Sequence, residues 1–147
     1  MKTKRTKEIW ISAFGLLLMA TTSAVAGNST VSTAEQGEYG KYLVDDKGMS
    51  LYLFEADEDG QSNCYDACAG AWPPLVTDGK PQAGGDTKQD LLGTVARKDG
   101  SMQVTYGGWP VYYFVKDKSP GDTKGQEVKG FGAEWYLINP EGKQVED

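Results

Sequence analysis

Apolar residues in this chain fall into an N-terminal run and, beyond it, into short segments separated by glycine-bearing turns. These segments show no long amphipathic helical period and are typical of β-strands. In one segment, Tyr52 and Phe54 share a strand face while Leu51 and Leu53 share the other. Because both faces are apolar, we expect this strand to be covered on both sides, as in a sandwich or barrel.

An internal repeat organises the segments. Residues 42–57 align with residues 102–117 without a gap, at an offset of 60 residues. Each copy contains a Tyr-x-Phe-x-x-Asp element, then a glycine-bearing turn, and then a Trp followed by apolar residues. The matched residues are Val44 and Val104, Gly48 and Gly108, Tyr52 and Tyr112, Phe54 and Phe114, Asp57 and Asp117, and Trp72 and Trp135. The sequence therefore predicts a mainly β, compact two-repeat domain built from antiparallel hairpins.

Turn residues place the hairpins and one helical turn on this repeat. Short β-prone runs flank glycine-bearing turns at residues 45–48, 97–100, 106–108 and 139–142. A single short helical turn, expected near Ser62 to Ala71, carries the C-x-x-x-C pair.

Composition suggests how the chain is divided. Residues 27–38 are small and polar, which favours disorder. Residues 77–90, with a proline and two adjacent glycines, are typical of a mobile connection. We expect residues 39–147 to form a single β domain, with the copies at about 39–76 and 94–145.

The first 26 residues have the parts of a secretory signal peptide. A basic start is followed by 18 uncharged residues, Ile9 to Ala26, which end in a small-x-small signal. We expect cleavage between Ala26 and Gly27 and a periplasmic or secreted product. A retained membrane anchor is the alternative, since the run could just span a bilayer. No later run approaches that length, so no transmembrane segment is expected after cleavage.

Charge and composition remove several function classes. Removal of residues 1–26 takes away four basic residues and one acidic residue, which changes the net charge from −6 to −9. An acidic domain repels phosphate backbones, so no nucleic acid is expected as a partner. The chain contains no histidine, which excludes His-based triads and histidine-ligated metals or haem.

Cys64 and Cys68 are the only cysteines. On a helical turn their Cα atoms would lie ~6 Å apart, within the range of a disulfide, and an oxidising compartment favours that bond. Two alternatives stay open: a thiol-redox pair, and a copper(I) site completed by Met49 or Met102. No His or Lys adjoins the cysteines to lower a thiol pKa.

An acidic string from Glu55 approaches a calcium loop. Asp57, Asp59, Gly60 and Asp66 fall at loop positions 3, 5, 6 and 12. The string has Glu at the first ligand position and Asp at the last, the reverse of the usual loop. We therefore prefer a solvated Asp-Gly turn, and we expect no metal and no other cofactor.

The doubled Tyr-x-Phe-x-x-Asp element is the most specific feature. In an architectural interpretation the rings fill the sheet interface and each Asp caps a turn by accepting backbone N–H groups. In a functional interpretation a cleft between the copies binds an apolar or sugar-like ligand. A third interpretation pairs the two Asp residues as acid and base. The candidate residues are Tyr52, Phe54, Asp57, Trp72, Trp109, Tyr112, Phe114 and Asp117.

From about Tyr39 to Gly142 the chain resembles a bacterial family of secreted or lipoprotein-borne repeats of unknown function, with a Tyr-x-aromatic-x-x-Asp motif. The residues that carry the resemblance are 48–52, Cys64 with Cys68, 71–75, 103–106, 108–114 and 120–122. The resemblance implies an envelope location, no established enzymatic activity, and a link to alkane use in some relatives. Many relatives carry a lipobox cysteine, which this chain lacks, so membrane tethering is not carried over.

These observations lead to one expectation and one alternative. We expect an exported, non-enzymatic repeat protein without catalytic residues, which binds a small ligand or an envelope protein. The alternative is a periplasmic thiol-redox or metal-binding protein, with Cys64 and Cys68 for redox chemistry or copper and the acidic string from Glu55 for calcium.

Overall fold

The computed structural model describes residues 28–146; the predicted signal peptide and its cleavage site at Ala26 and Gly27 lie outside the described residues. This part of the chain consists of short strands, one α-helix and one 3-10 turn. The strands are β1 (Thr30–Gln36), β2 (Gly40–Asp45), β3 (Tyr52–Phe54), β4 (Gln82–Ala83), β5 (Leu92–Ala96), β6 (Met102–Tyr106), β7 (Trp109–Pro110), β8 (Val128–Gly130) and β9 (Ala133–Leu137). The helical segments are α1 (Ala67–Ala71) and the 3-10 turn Gln89–Leu91. The predicted mainly β fold class is confirmed.

Within residues 28–146 the strands form three small sheets, in the orders β2-β1-β4, β3-β9-β8 and β5-β6-β7. The strand pairs are antiparallel except β1 with β4, which is parallel. Backbone hydrogen bonds close the turns predicted at 45–48, 97–100 and 139–142, and β6 reverses into β7 at residues 107–108. The predicted hairpins are therefore confirmed.

The segment that contains β3 lies between two hydrophobic cores. Tyr52 and Phe54 belong to one core together with Trp72 and other rings. Leu51 and Leu53, on the opposite face, belong to a more aliphatic core. The expected burial of both faces is confirmed, and all four side chains are almost fully buried.

The expectation of disorder for residues 27–38 needs correction over the described part, residues 28–38, which contains strand β1. It pairs with β2 as β5 pairs with β6, so each copy begins with a matching hairpin. The loop between β1 and β2 comprises residues 37–39, whereas the second hairpin has residues 97–101 in its loop. Because these loops differ in length, a gapless alignment does not bring the two first strands together. Backbone pairing and the fully buried Val31 hold β1 in place.

Two further expectations need correction. Residues 77–90, expected to be a mobile connection, contain β4, and Gly84 N donates to Val31 O at 2.8 Å. The helix is shorter than the predicted segment from Ser62 to Ala71. It begins only at Ala67, because Asp66 has a positive φ of 55°, so Cys68 alone of the cysteine pair lies in it.

Candidate functional site

The two copies meet at their matched tyrosines. Tyr52 N donates to Tyr112 O, and Tyr112 N donates to Tyr52 O, both at 2.9 Å. This two-way backbone pair joins residues at the same position of each repeat. The copies are therefore related by an approximate twofold arrangement around this pair.

The side chains of the repeated element are exchanged between the copies. Tyr52 Oη donates to Asp117 Oδ2 at 2.6 Å, and Tyr112 Oη donates to Asp57 Oδ2 at 2.7 Å. Each tyrosine is thus bound to the carboxylate of the other copy, and all four residues are buried. The arrangement ties the copies together at two equivalent points.

Each carboxylate also closes the turn that follows its own strand. Asn63 N donates to Asp57 Oδ1 at 2.7 Å, and Lys124 N donates to Asp117 Oδ1 at 2.9 Å. One oxygen therefore fixes the local turn while the other receives the tyrosine of the opposite copy.

Four rings from alternating copies form one continuous stack in the aromatic core. Trp72 and Trp135 lie at its centre, with ring centroids 3.9 Å apart and planes inclined by 2°. Phe54 stacks outside Trp135 at 4.1 Å, and Phe114 stacks outside Trp72 at 4.0 Å. Alternation means that neither copy can complete the stack alone.

The predicted cleft between the copies does not form around these residues. Tyr52, Phe54, Trp72, Tyr112 and Phe114 are packed in one core. Asp57 and Asp117 are only 6% and 7% exposed. The rings exclude solvent because they stack on one another, so the shared-cleft prediction is wrong.

The carboxylate and hydroxyl of one pair titrate unusually. Burial raises the pKa of Asp57 to about 6, against the opposing effect of hydrogen bonds from Asn63 N and Tyr112 Oη and of the Arg97 charge. Burial, with the nearby Asp57 charge, also raises the pKa of Tyr112. Burial likewise raises the pKa of Asp117. Tyr112 therefore stays protonated and donates to Asp57.

A series of hydrogen-bonded polar side chains extends from Asp57 through Tyr112 and Ser62 to Arg97. Ser62 Oγ lies 2.6 Å from Tyr112 Oη, and Arg97 Nη1 donates to Ser62 Oγ at 3.0 Å. Arg97 also donates to Gln103 Oε1 and to Cys64 O. Arg97 is only 6% exposed, and its bonding partners are all uncharged. Two hydroxyl groups, those of Ser62 and Tyr112, connect the Arg97 guanidinium to Asp57 by hydrogen bonds.

Trp109 lies apart from the ring stack, at the surface. It is half-buried and borders a groove of about 270 Å³, here called the Trp109 groove. The other lining residues are Asp57, Asp59, Gly60, Gly107, Gly108 and Pro110. Trp109 and the largely buried Asp57 are thus two predicted site residues that line one groove, and Asp117 does not line it.

The matched place in the other copy is closed. Met49 occupies the position of Trp109, and Gly48 that of Gly108. A Cβ at Gly48 would lie 3.1 Å from Pro120 Cβ, whereas one at Gly108 would meet nothing within 4 Å. Pro120 covers this corner, and Ser50 Oγ anchors the same loop through Asp122 O. The copies therefore share their core but differ at this surface.

The predicted disulfide between Cys64 and Cys68 is confirmed, with Cα atoms 5.2 Å apart and both residues buried. Each sulfur is bonded to the other, which leaves neither as a thiolate. Residues 28–146 contain no cluster of three or more Cys, Asp or Glu side chains arranged to hold a metal ion. In the same range no helix is both long and apolar enough to cross a membrane.

Three residues at the site escaped sequence reasoning. Ser62 was visible only as a hydroxyl residue in a glycine-bearing turn, and Arg97 lies in a hairpin turn, where a charged residue is normally solvated. Gln103 alternates with apolar neighbours in β6, yet it is fully buried and donates to Val111 O. The hydroxyl residues Ser62 and Thr123, which follow the glycines of the two matched turns, are a sequence signal that could have identified part of this site.

Comparison with known proteins agrees with the doubled architecture. A family model described as a secreted repeat of unknown function matches the chain twice, over residues 33–76 and 93–139. Searches of curated proteins and of solved structures found no match. The matched segments start within β1 and β5 and each contains one Tyr-x-Phe-x-x-Asp element. Since they cover more than half of the chain, the protein belongs to this family of secreted repeats of unknown function.

Proposed function

We propose that the protein is a non-enzymatic, exported domain that binds a small ligand in the Trp109 groove. The observation that carries the proposal is the difference between the copies. The crossed Tyr–Asp bonds and the ring stack occur in both copies, and their role in folding explains them. A surface groove that one copy has and the other lacks is not required by that shared core, and a binding function would explain it. The groove has that character, because its matched place is closed by Pro120.

The lining of the groove supports binding of an uncharged or amphipathic molecule. The half-buried indole of Trp109 offers an apolar surface, and the Asp57 carboxylate offers a fixed acceptor. A few placed polar groups beside an aromatic ring are typical of small-molecule sites. Tyr112 and Asn63 hold the carboxylate in place before any ligand arrives, which reduces the entropy lost on binding.

Several features support the absence of catalysis. Histidine is missing from the chain, and the two repeated aspartates are each committed to a turn and to a tyrosine. Pairing Asp57 with Asp117 as acid and base would need both carboxyl groups at one reacting bond, but Asp117 does not line the groove. Export is supported by the secreted character of the family.

Binding can be followed through the groove's own tryptophan. Trp72 and Trp135 are almost fully buried, so a ligand in the groove should change chiefly the fluorescence of Trp109. Because Trp109→Ala removes this fluorescent group, calorimetry measures binding to that variant, and we expect the variant to bind about tenfold more weakly or worse than the parent protein. Met49→Ala, the matched change in the closed copy, should leave binding unaltered. Binding that Trp109→Ala leaves unchanged would contradict the proposal, as would turnover of a glycoside or ester that Asp57→Asn abolishes.

A further inference from the structure

A second hollow adjoins the Trp109 groove. It has a volume of about 420 Å³ and shares Trp109 as a wall. Its other lining residues are Asn139, Gly142, Lys143, Gln144 and Glu146. Trp109 therefore stands between two hollows, and a ligand longer than one ring could contact both sides of it.

Two turns that contact each other line the hollows: the turn with Gly107 lines the first hollow, and the turn with Gly142 lines the second. A Cβ at Gly107 would lie 3.1 Å from Gly142 Cα, and one at Gly142 would lie 3.2 Å from Gly107 Cα. Both glycines have positive φ, of 57° and 82°. Because neither residue has a side chain, nothing from this pair rises between the hollows.

The charges of the two hollows select most strongly against anionic ligands, because Asp57, Asp59 and Glu146 outnumber Lys143. Asp57 and Asp59 line the first hollow without a basic residue, which disfavours carboxylates and phosphates. An organic cation is the main competing class, since the carboxylates attract it, but in the second hollow it also meets the like charge of Lys143, which a neutral ligand does not. A purely apolar chain would cover polar groups such as the half-buried Gln144 without offering a hydrogen bond, at about 1–3 kcal/mol for each group left unpaired.

Sugar rings are uncharged and combine apolar faces with many hydroxyl groups, which suits the lining of both hollows. Their C–H faces can cover an indole, and their hydroxyl groups both donate and accept hydrogen bonds. Asp57 already accepts two hydrogen bonds, one on each oxygen, and a carboxylate has about four acceptor sites. The second hollow offers donors and acceptors together, on Lys143, Gln144 and Glu146.

We infer that the ligand is a neutral oligosaccharide of two or more rings that lies across Trp109, with hydroxyl groups donating to Asp57 and Asp59. The inference rests on the proposed binding function and names its ligand class. Gln144 then contacts a ring that a monosaccharide in the first hollow does not have.

Calorimetric titration of the purified exported protein tests the ligand class. The probes are the tetrasaccharides of cellulose, starch and chitin, their monosaccharides, decanol and decyltrimethylammonium. We expect one or more tetrasaccharides to bind. Trp109→Ala should weaken that binding about tenfold or more, and Met49→Ala should leave it within about twofold. Gln144→Ala should weaken the tetrasaccharide about threefold or more and leave the monosaccharide unchanged.

The outcomes separate the two proposals. If decanol or the ammonium compound binds in a Trp109-dependent way and no saccharide does, the ligand class is wrong and the binding function stands. If saccharides bind equally well to the Trp109→Ala protein, the site is wrong. If no probe binds, both the ligand class and the proposed function are overturned.

Discussion

The Tyr112–Asp57 pair and the Tyr52–Asp117 pair occupy matched places in the two copies, yet their surroundings differ. Tyr112 Oη contacts Ser62 Oγ at 2.6 Å, and the chain continues to the buried Arg97. Tyr52 Oη instead receives a backbone hydrogen bond from Gly125 N at 3.1 Å. The first pair borders an open groove, whereas Pro120 closes the matched place in the other copy.

This difference separates structural from functional constraints in a repeated fold. The features that both copies share are the crossed hydrogen bonds and the ring stack, which bury the core. The Tyr52 side is sealed, since a Cβ at Gly125 would lie 2.7 Å from the Tyr52 ring. The Tyr112 side has polar partners and a groove instead. A matched change in each copy can therefore test every part of the account.

The largest effect is expected in the shared ring stack. Trp72→Ala and Trp135→Ala should each lower the free energy of unfolding by about 3–5 kcal/mol, because each removes a fully buried ring at the centre of the stack. Urea denaturation measures both. Trp109→Ala, at a half-buried position, should cost about 1 kcal/mol. Unequal losses of unfolding free energy at Trp72 and Trp135 would show that the two copies do not contribute equally to the core.

Removal of the tyrosine hydroxyls should distinguish the two pairs. Tyr112→Phe leaves both Asp57 Oδ2 and Ser62 Oγ without this partner and should cost about 2–3 kcal/mol. Tyr52→Phe removes the bonds to Asp117 and Gly125 N and should cost about 1–2 kcal/mol. Equal losses in urea denaturation would show that the chain to Arg97 adds no stability.

The pH dependence of stability should carry the signature of Asp57. Its folded-state pKa is raised from 3.8 to about 6, so protonation stabilises the folded state. That stabilisation is fully present below about pH 4 and is lost as the pH rises through about 6. After allowance for partial solvent screening, we expect a loss of about 1–2 kcal/mol.

The matched variant isolates this contribution from that of other acids. Asp57→Asn should flatten the fall in the free energy of unfolding between about pH 4 and 6, since the amide does not titrate. Thermal or urea unfolding at several pH values measures the slope. An unchanged slope in Asp57→Asn would refute the raised pKa.

The smallest effect on the free energy of unfolding is expected at two matched glycines, Gly48 against Pro120 and Gly108 in the Trp109 groove. Gly48 and Gly108 are matched and have φ values of +84° and +86°. Gly108→Ala should cost about 1 kcal/mol from backbone strain alone. Gly48→Ala should cost about 0.5–1 kcal/mol more, because its Cβ would press on Pro120. Equal costs would indicate that Pro120 does not close the corner.

Much of the fold could be predicted from the sequence because it depends on patterns of neighbouring residues and on the repeat. Glycine-bearing turns, short apolar runs and the offset of 60 residues predicted the hairpins and the doubling. Strand β1 escaped because Thr30–Gln36 has few apolar residues and its hairpin loop differs in length from that of β5. Its formation depends on tertiary pairing, which local propensity does not report.

The site was less predictable because its contacts cross between copies. The spacing of Tyr52 and Asp57 is fixed in sequence, but nothing local shows that each binds the opposite copy. The burial of Arg97 depends on the hairpin folding against the Cys64 carbonyl, which has no local signal either. The shared-cleft interpretation was wrong, and the architectural one right about the packing of the rings, because polar groups that recur in sequence can also converge inside a core.

Carboxyl carbon NMR through a pH titration tests the crossed pairing most directly. Each tyrosine hydroxyl favours the ionised carboxylate of the other copy. We therefore expect Tyr112→Phe to raise the pKa of Asp57 and to leave the pKa of Asp117 unchanged. Tyr52→Phe should raise the pKa of Asp117 and leave that of Asp57 unchanged. In the parent protein Asp57 should titrate near 6. If Tyr112→Phe instead moved the pKa of Asp117, or if both carboxyls titrated near 4 as free aspartates do, the reciprocal connection between the copies would be wrong.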